Sequence, residues 1–144
     1  IFSTSASFLL TRYWMGILWR KDMKMVLAII GQRELSGSRA IDAVKSAISR
    51  FNPSKIVSGG ARGIDSVAKN EALSAGIEFE EFLPILPNTR TKHAIVEAYY
   101  ARNKRIVEAA DAVVAIVGER NTGGTFHTIK QAGLVGKPVY VIRL

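Results

Sequence analysis

Ser58-Gly59-Gly60-Ala61-Arg62-Gly63-Ile64-Asp65 lies between a short apolar run, Lys55-Ile56-Val57, and a helical pattern from Ser66 to Ala75 that stops at Gly76. The run reads as a buried strand, so the order is strand, glycine-rich turn, helix N-terminus. That order makes a phosphate cradle. Glycines let the backbone come close to an anion, and the unbonded N–H groups of the first helical turn point at it. Arg62 adds a guanidinium with two-pronged geometry. The plainer alternative is a tight strand-to-helix turn that binds nothing.

Working outward, the chain alternates strand and helix. Met25 to Ile30 reads as an apolar strand that ends in Gly31-Gln32-Arg33. Ser36 or Ser38 is placed to cap a helix with Ile41, Val44 and Ile48 at helical spacing, and Asn52-Pro53 ends it. The helix after the glycine turn offers Ile64, Val67, Ala68, Ala72 and Ala75 as its inner face. Ile77 to Leu83 is expected as a third strand and Pro84 to Arg90 as a loop. A long helix follows from Thr91 to Ala110, with Ile95, Tyr99, Arg102 and Ile106 on one stripe. Asp111 to Val117 is the most strand-like run. Gly118 to Gly124 makes a second glycine-containing loop, then come a helix to Val135 and a strand from Pro138 to Leu144.

Five apolar strands separated by helices specify an α/β fold: a doubly wound, mostly parallel five-stranded sheet with helices on both faces. Ligands of such sheets sit at the carboxyl ends of the strands, beside the switch in strand order. Three loops leave those ends with suitable chemistry: Gly31-Gln32-Arg33, Ser58 to Gly63, and Gly118 to Thr125. The candidate phosphate-binding residues are therefore Gly31, Gln32, Arg33, Ser58, Gly59, Gly60, Ala61, Arg62, Gly63, Gly118, Thr122, Gly123, Gly124 and Thr125. In the third loop Gly123-Gly124 equally suits a plain turn, and Thr125 a helix cap. Arg102 joins the candidates because a charge on a core-facing stripe needs a partner, and Asn103 stands beside it. The bland reading of Arg102 is a buried ion pair with a glutamate. Asp65 suits the helix dipole better than a general base, and His93 and His127 read as surface or ligand-proximal polar residues.

Composition bounds the rest. At 144 residues, with 48% hydrophobic and 22% charged positions, the chain is ordinary for one globular domain. With no cysteine, disulfides, thiolate catalysis and cysteine-based zinc sites are excluded, and two histidines are too few for a histidine-rich metal site. No cofactor is required by any motif; a Walker-type phosphate loop is excluded because no Gly-Lys-Ser/Thr occurs. A net charge of +8 favours anionic partners. No run of about eighteen uncharged apolar residues occurs, so no membrane span is expected. A cytoplasmic location is the expectation.

Residues 1–22 differ in character and are set apart as an amino-terminal extension of unknown role, with a single domain over 23–144. Phe8 to Trp19 is apolar and aromatic and holds both tryptophans, and no convincing secretory leader is present. Such a segment is expected to be ordered by burial against its own domain or a neighbouring subunit, which makes a homo-oligomer the expected assembly.

Taken together, Gly31-Gln32-Arg33, Ser58 to Asp65, Arg102-Asn103 ahead of Asp111, and Gly124-Thr125 resemble the SLOG superfamily over about Met25 to Leu144. These are Rossmann-like domains that include the Lonely Guy phosphoribohydrolases and the DNA-processing protein A family. The glycine turn, and Gly124-Thr125 followed by Thr128, resemble the DNA-processing branch; the short length and Gly-x-Arg start look more like small stand-alone members. The resemblance implies binding of a nucleotide or nucleotide-derived phosphate ligand, as a sensor or carrier. The alternative it implies is single-stranded nucleic-acid binding, although aromatic stacking platforms are not obvious in the domain proper. A nucleotide phosphoribohydrolase comes third. The Lonely Guy pattern carries a glutamate where this chain has Thr128, and N-glycosidic cleavage needs a carboxylate. Glu97, Glu108 and Glu119 are the acids left to substitute. Binding without hydrolysis is the expectation.

Overall fold

The computed structural model describes residues 24–120 and 123–144; the amino-terminal extension, Asn121 and Thr122 lie outside the described residues. Five strands, β1 (Val26–Gly31), β2 (Lys55–Gly59), β3 (Glu78–Phe82), β4 (Ala112–Val117) and β5 (Val139–Arg143), form one sheet in the order β3-β2-β1-β4-β5. Every pairing is parallel, from Leu27 opposite Ile56 to Val117 opposite Arg143. Four helices connect them: α1 (Gly37–Phe51), α2 (Ile64–Ser74), α3 (Lys92–Ala109) and α4 (Gly124–Leu134). This is the doubly wound, Rossmann-like arrangement expected from the alternating pattern.

Strand period two sorts the apolar side chains onto two faces. Leu27, Ile29, Ile56, Val114 and Ile116 pack against α1 and α2, among Ala40, Val44, Ala47, Ala68 and Ala72. Their neighbours Ala28, Ile30, Val57, Val113 and Ala115 face α3 and α4, among Ile106, Val107 and Ala132. Each fully buried Val, Leu or Ile is worth roughly 1.5–3 kcal/mol against exposure. β4, covered on both faces, is buried at all six positions, which is why it reads as an unbroken apolar run. β3 is an edge strand, shorter than the Ile77 to Leu83 expected, and its glutamates are exposed. Lys55, opposite Glu78 in the ladder, reaches both Glu78 and Glu80.

Helix ends follow local chemistry with some departures. Thr91 accepts from the Ala94 N–H at 3.2 Å and caps α3. Ser36 stands at the N-cap of α1, but its side chain makes no capping bond. Asn52 ends α1 in the left-handed region, just ahead of Pro53. Ala75, expected on the inner face of its helix, is exposed beyond the end of α2. Thr125 does not cap α4: Gly123 does, with φ of 108°. Among the described residues no helix is long and apolar enough to cross a membrane.

The order β3-β2-β1-β4-β5 places the switch point between β1 and β4. Chains leaving these neighbouring strands go to opposite faces of the sheet, so a crevice opens at their carboxyl ends. Gly31 closes β1 there, and a Cβ on it would collide with the Ile64 side chain and stand 2.6 Å from the Ile116 carbonyl oxygen. Glycine at that point lets α2 start hard against the strand end.

Candidate functional site

At the switch point lies a cleft of about 440 Å³. Its walls come from the end of β1 and the residues after it, the turn after β2, one face of α3, and the start of α4. The three loops singled out in the sequence thus meet at one place. Gly31, Gln32 and Arg33 line the cleft, as do Gly59 and Ala61, Arg102 and Asn103, and Gly123, Gly124 and Thr125.

The other expected residues stand elsewhere. Ser58 is fully buried and donates to the Ile29 carbonyl at 2.7 Å. Gly60 is exposed and turns toward Leu83 and Glu81; Arg62 is exposed and outside the cleft wall. Gly63 holds the turn together: its φ is 78°, and a Cβ would strike the Arg33 backbone carbonyl. Gly118 donates its N–H to Gln32 Oε1 at 2.8 Å. Thr122 lies outside the described residues. Gln32, although it borders the cleft, is buried and spends its amide on that N–H and on the Arg120 carbonyl at 2.7 Å. It pins the loop after β4 to the end of β1.

Arg102 and Asn103 occupy adjacent positions on α3 and are both buried. Arg102 Nε donates to Asn103 Oδ1 at 3.0 Å and Nη1 to the Phe82 carbonyl at 3.2 Å, while the guanidinium carbon lies 5.4 Å from the centre of the Tyr99 ring. Burial lowers the Arg102 pKa from its ordinary value, and the nearby Asp65 charge opposes that shift. The opposite charge that acts on Arg102 is thus that of an aspartate on α2 rather than of a glutamate. Gly59 makes room for the pair: a Cβ there would stand 2.7 Å from Arg102 Nη1 and 2.9 Å from Asp65 Oδ2.

Asp65 is the main residue that sequence reasoning assigned differently. It does occupy the first turn of α2, but it is only 7% exposed and lines the cleft. It accepts from the Ala61 N–H at 3.3 Å. Burial pushes its carboxyl pKa up to about 6, against the pull of Ser58, Ala61 and Arg102, with Glu81 adding to the rise. Tyr99, Tyr100 and Arg120 also line the cleft. Arg120 reaches Glu34 at 3.0 Å. The spacing of Tyr99, Arg102 and Ile106 was a usable signal for the wall that α3 supplies; nothing local marked Asp65 or Arg120.

At the mouth of α4, His127 stacks face to face on Tyr100, ring centres 3.7 Å apart at 6°. Its Nδ1 lies 3.3 Å from Asn103 Nδ2. Burial and Lys130 lower its pKa, with Glu97 opposing, which favours the neutral ring. Thr128 donates to the Gly124 carbonyl at 3.0 Å, an ordinary back-bond within the helix. Glu97, Glu108 and Glu119 are exposed and do not line the cleft. Among the described residues no group of three or more metal-ligating side chains gathers.

The fold has a solved counterpart in the X-ray structure of DNA processing protein A (DprA) from Streptococcus pneumoniae. The TM-score is 0.66 at 20% sequence identity, over 90% of this chain and 51% of that one. The chain therefore spans about half the length of that protein, and at this identity the likeness speaks for the fold. A comparison with curated proteins returns no match. The family model described as DNA recombination-mediator protein A matches residues 11–84, just over half of the sequence, including β1, β2 and the glycine turn between β2 and α2. The chain belongs to the DNA recombination-mediator protein A family.

Proposed function

We propose that the cleft binds single-stranded nucleic acid, with backbone phosphate at the glycine turns and bases against the α3 wall. The carrying observation is the pairing of cations with partly exposed aromatic rings in one crevice. Arg33, Arg102 and Arg120 line it together with Tyr99 and Tyr100, which are 43% and 42% exposed. The two tyrosines offer the stacking surface that was not obvious in the sequence, and stacking tolerates any base because every base has a π-face. Family membership and the +8 charge support the same reading. The start of α4 reaches the crevice through Gly123, Gly124 and Thr125, and α2 borders it through Asp65 in its first turn, so helix N-terminal backbone stands close to a bound anion.

A second reading, a free nucleotide in the cleft, is favoured by its volume of about 440 Å³, within the range of small-molecule sites. The readings part on length and salt. Fluorescence anisotropy with a labelled oligothymidylate should show affinity rising with strand length and falling steeply with salt. Tyr99→Ala and Tyr100→Ala should each cost about 1–3 kcal/mol of binding. Arg33→Ala should lower the salt slope by about one. Saturable binding of mononucleotides with no gain on lengthening would favour the second reading, and no oligonucleotide binding at low salt would remove the first.

A further inference from the structure

The cleft holds one acid among its cations. Asp65 is the single carboxylate among the described residues that line it. It faces Arg102 from α3, the Ser58 hydroxyl from β2, the Ala61 N–H from the turn and, as a like charge, Glu81 from β3. Glu81 lies 3.9 Å from Lys69 of α2. Arg33 and Arg120 share the cleft wall, Arg120 already engaged with Glu34. Arg102 Nη1 and Asp65 Oδ2 both crowd the empty Cβ position of Gly59, at 2.7 and 2.9 Å. An anion that approaches Arg102 therefore meets a carboxylate already there.

Two negative charges within a few ångströms disfavour each other's ionised form. We infer that the cleft takes up a proton on Asp65 as it takes up an anionic strand, so that Arg102 passes from the internal carboxylate to the ligand. This inference rests on the anion-binding reading of the cleft given above. Burial has already moved the Asp65 pKa to about 6, so little further shift brings it to neutrality. A bound anion raises it further. Affinity then falls with rising pH above about 6, by up to tenfold per unit, until the pKa of the complex is passed.

His127 reaches the cleft wall through Asn103, and burial and Lys130 lower its pKa, so it charges in more acid solution than an ordinary histidine. The two are separated by titrating a labelled oligothymidylate without terminal phosphate, at fixed ionic strength from about pH 5 to about pH 8, since phosphodiesters keep one charge throughout. Wild type and His127→Gln should both lose affinity as pH rises above about 6. Asp65→Asn should lose that slope and bind at least as tightly as wild type at the alkaline end. Calorimetry of wild type and His127→Gln in two buffers of different ionisation heat should show a fraction of a proton taken up per strand, a readout that stands even where Asp65→Asn folds poorly. A slope that survives in Asp65→Asn, a slope that vanishes in His127→Gln, or binding with no proton uptake overturns the inference and leaves the binding reading intact. No binding at any pH overturns both.

Discussion

The turn after β2 and the turn ahead of α4 both carry paired glycines and both bring a helix N-terminus to the cleft, yet their glycines answer to different neighbours. In the first turn the protein itself fills the space: Arg102 and Asp65 stand where a Gly59 Cβ would be, and the Arg33 backbone stands where that of Gly63 would be. In the second, among the described residues, a Cβ on Gly124 would meet nothing nearer than Asn103 Nδ2 at 4.0 Å, and one on Gly123 would meet only the Arg120 guanidinium, from 3.5 Å. The first turn is a packed joint around which a buried arginine and a buried aspartate come together. The second, among the described residues, leaves open space beside its glycines. The family model spans the first and ends before the second. Shared sequence marks the joint, and tertiary packing completes the crevice.

Substitutions test this contrast most sharply at Gly63. A valine there combines a left-handed backbone with a collision against backbone that cannot swing away. The expected loss exceeds about 3 kcal/mol by chemical denaturation, among the larger effects known for point changes. A small loss would mean that the joint is not packed as described.

Gly59→Ala should cost about 1–3 kcal/mol, because Arg102 Nη1 and Asp65 Oδ2 must both retreat from 2.7 and 2.9 Å. Its larger effect should fall on oligonucleotide affinity, since Arg102 is displaced. Unchanged affinity would detach Arg102 from binding.

Asp65 gives the joint a pH signature. Its carboxyl pKa is about 6 in the folded chain against 3.8 as an ordinary aspartate. Between those values the folded state binds more protons than the unfolded one. The stability that this group contributes is therefore present in acid and lost as pH rises from about 4 to about 6. The size is at most about 3 kcal/mol. The stability of wild type minus that of Asp65→Asn, followed by denaturation across this window, should fall by about 1–3 kcal/mol. A flat difference would place Asp65 in solvent.

Gly124→Ala is the smallest expected change and the counterweight to Gly63. Alanine finds open space and a helical position, so stability should hold or rise by up to about 1 kcal/mol. Oligonucleotide affinity should nevertheless drop, because the methyl group covers backbone that the ligand approaches. A stability loss as large as that of Gly63→Val would erase the difference between the turns.

The alternation of apolar strands with helices was legible residue by residue: Leu27 to Ile30 and Ala112 to Val117 are buried as their patterns required, and glycine, asparagine and proline punctuated the connections. So was the meeting of three loops, because a parallel sheet sends every strand's carboxyl end to the same side. Residue roles within the loops were less legible. Gly60 and Arg62 sit in the same motif as Gly59 and Ala61 but turn away from the cleft. Gln32 lines the cleft and also serves as a staple, a role invisible in sequence because its two partners lie 86 and 88 residues along the chain.

What the sequence by itself determined is the architecture and the location of the crevice, since both follow from local periodicity and from the handedness and direction of parallel strands. The pairing of Asp65 with Arg102 was decided only by the tertiary structure. An aspartate at a helix start is ordinarily a solvated dipole partner, and a charge at one helix face ordinarily reaches water. Here Gly59 leaves room at the end of the sheet for the side chains of Asp65 and Arg102 to come together, and their burial raises the carboxyl pKa and sets one acid among the cleft's arginines. Desolvation depends on what surrounds a group in space, and residues 65 and 102 become neighbours only when the sheet brings their helices to one end.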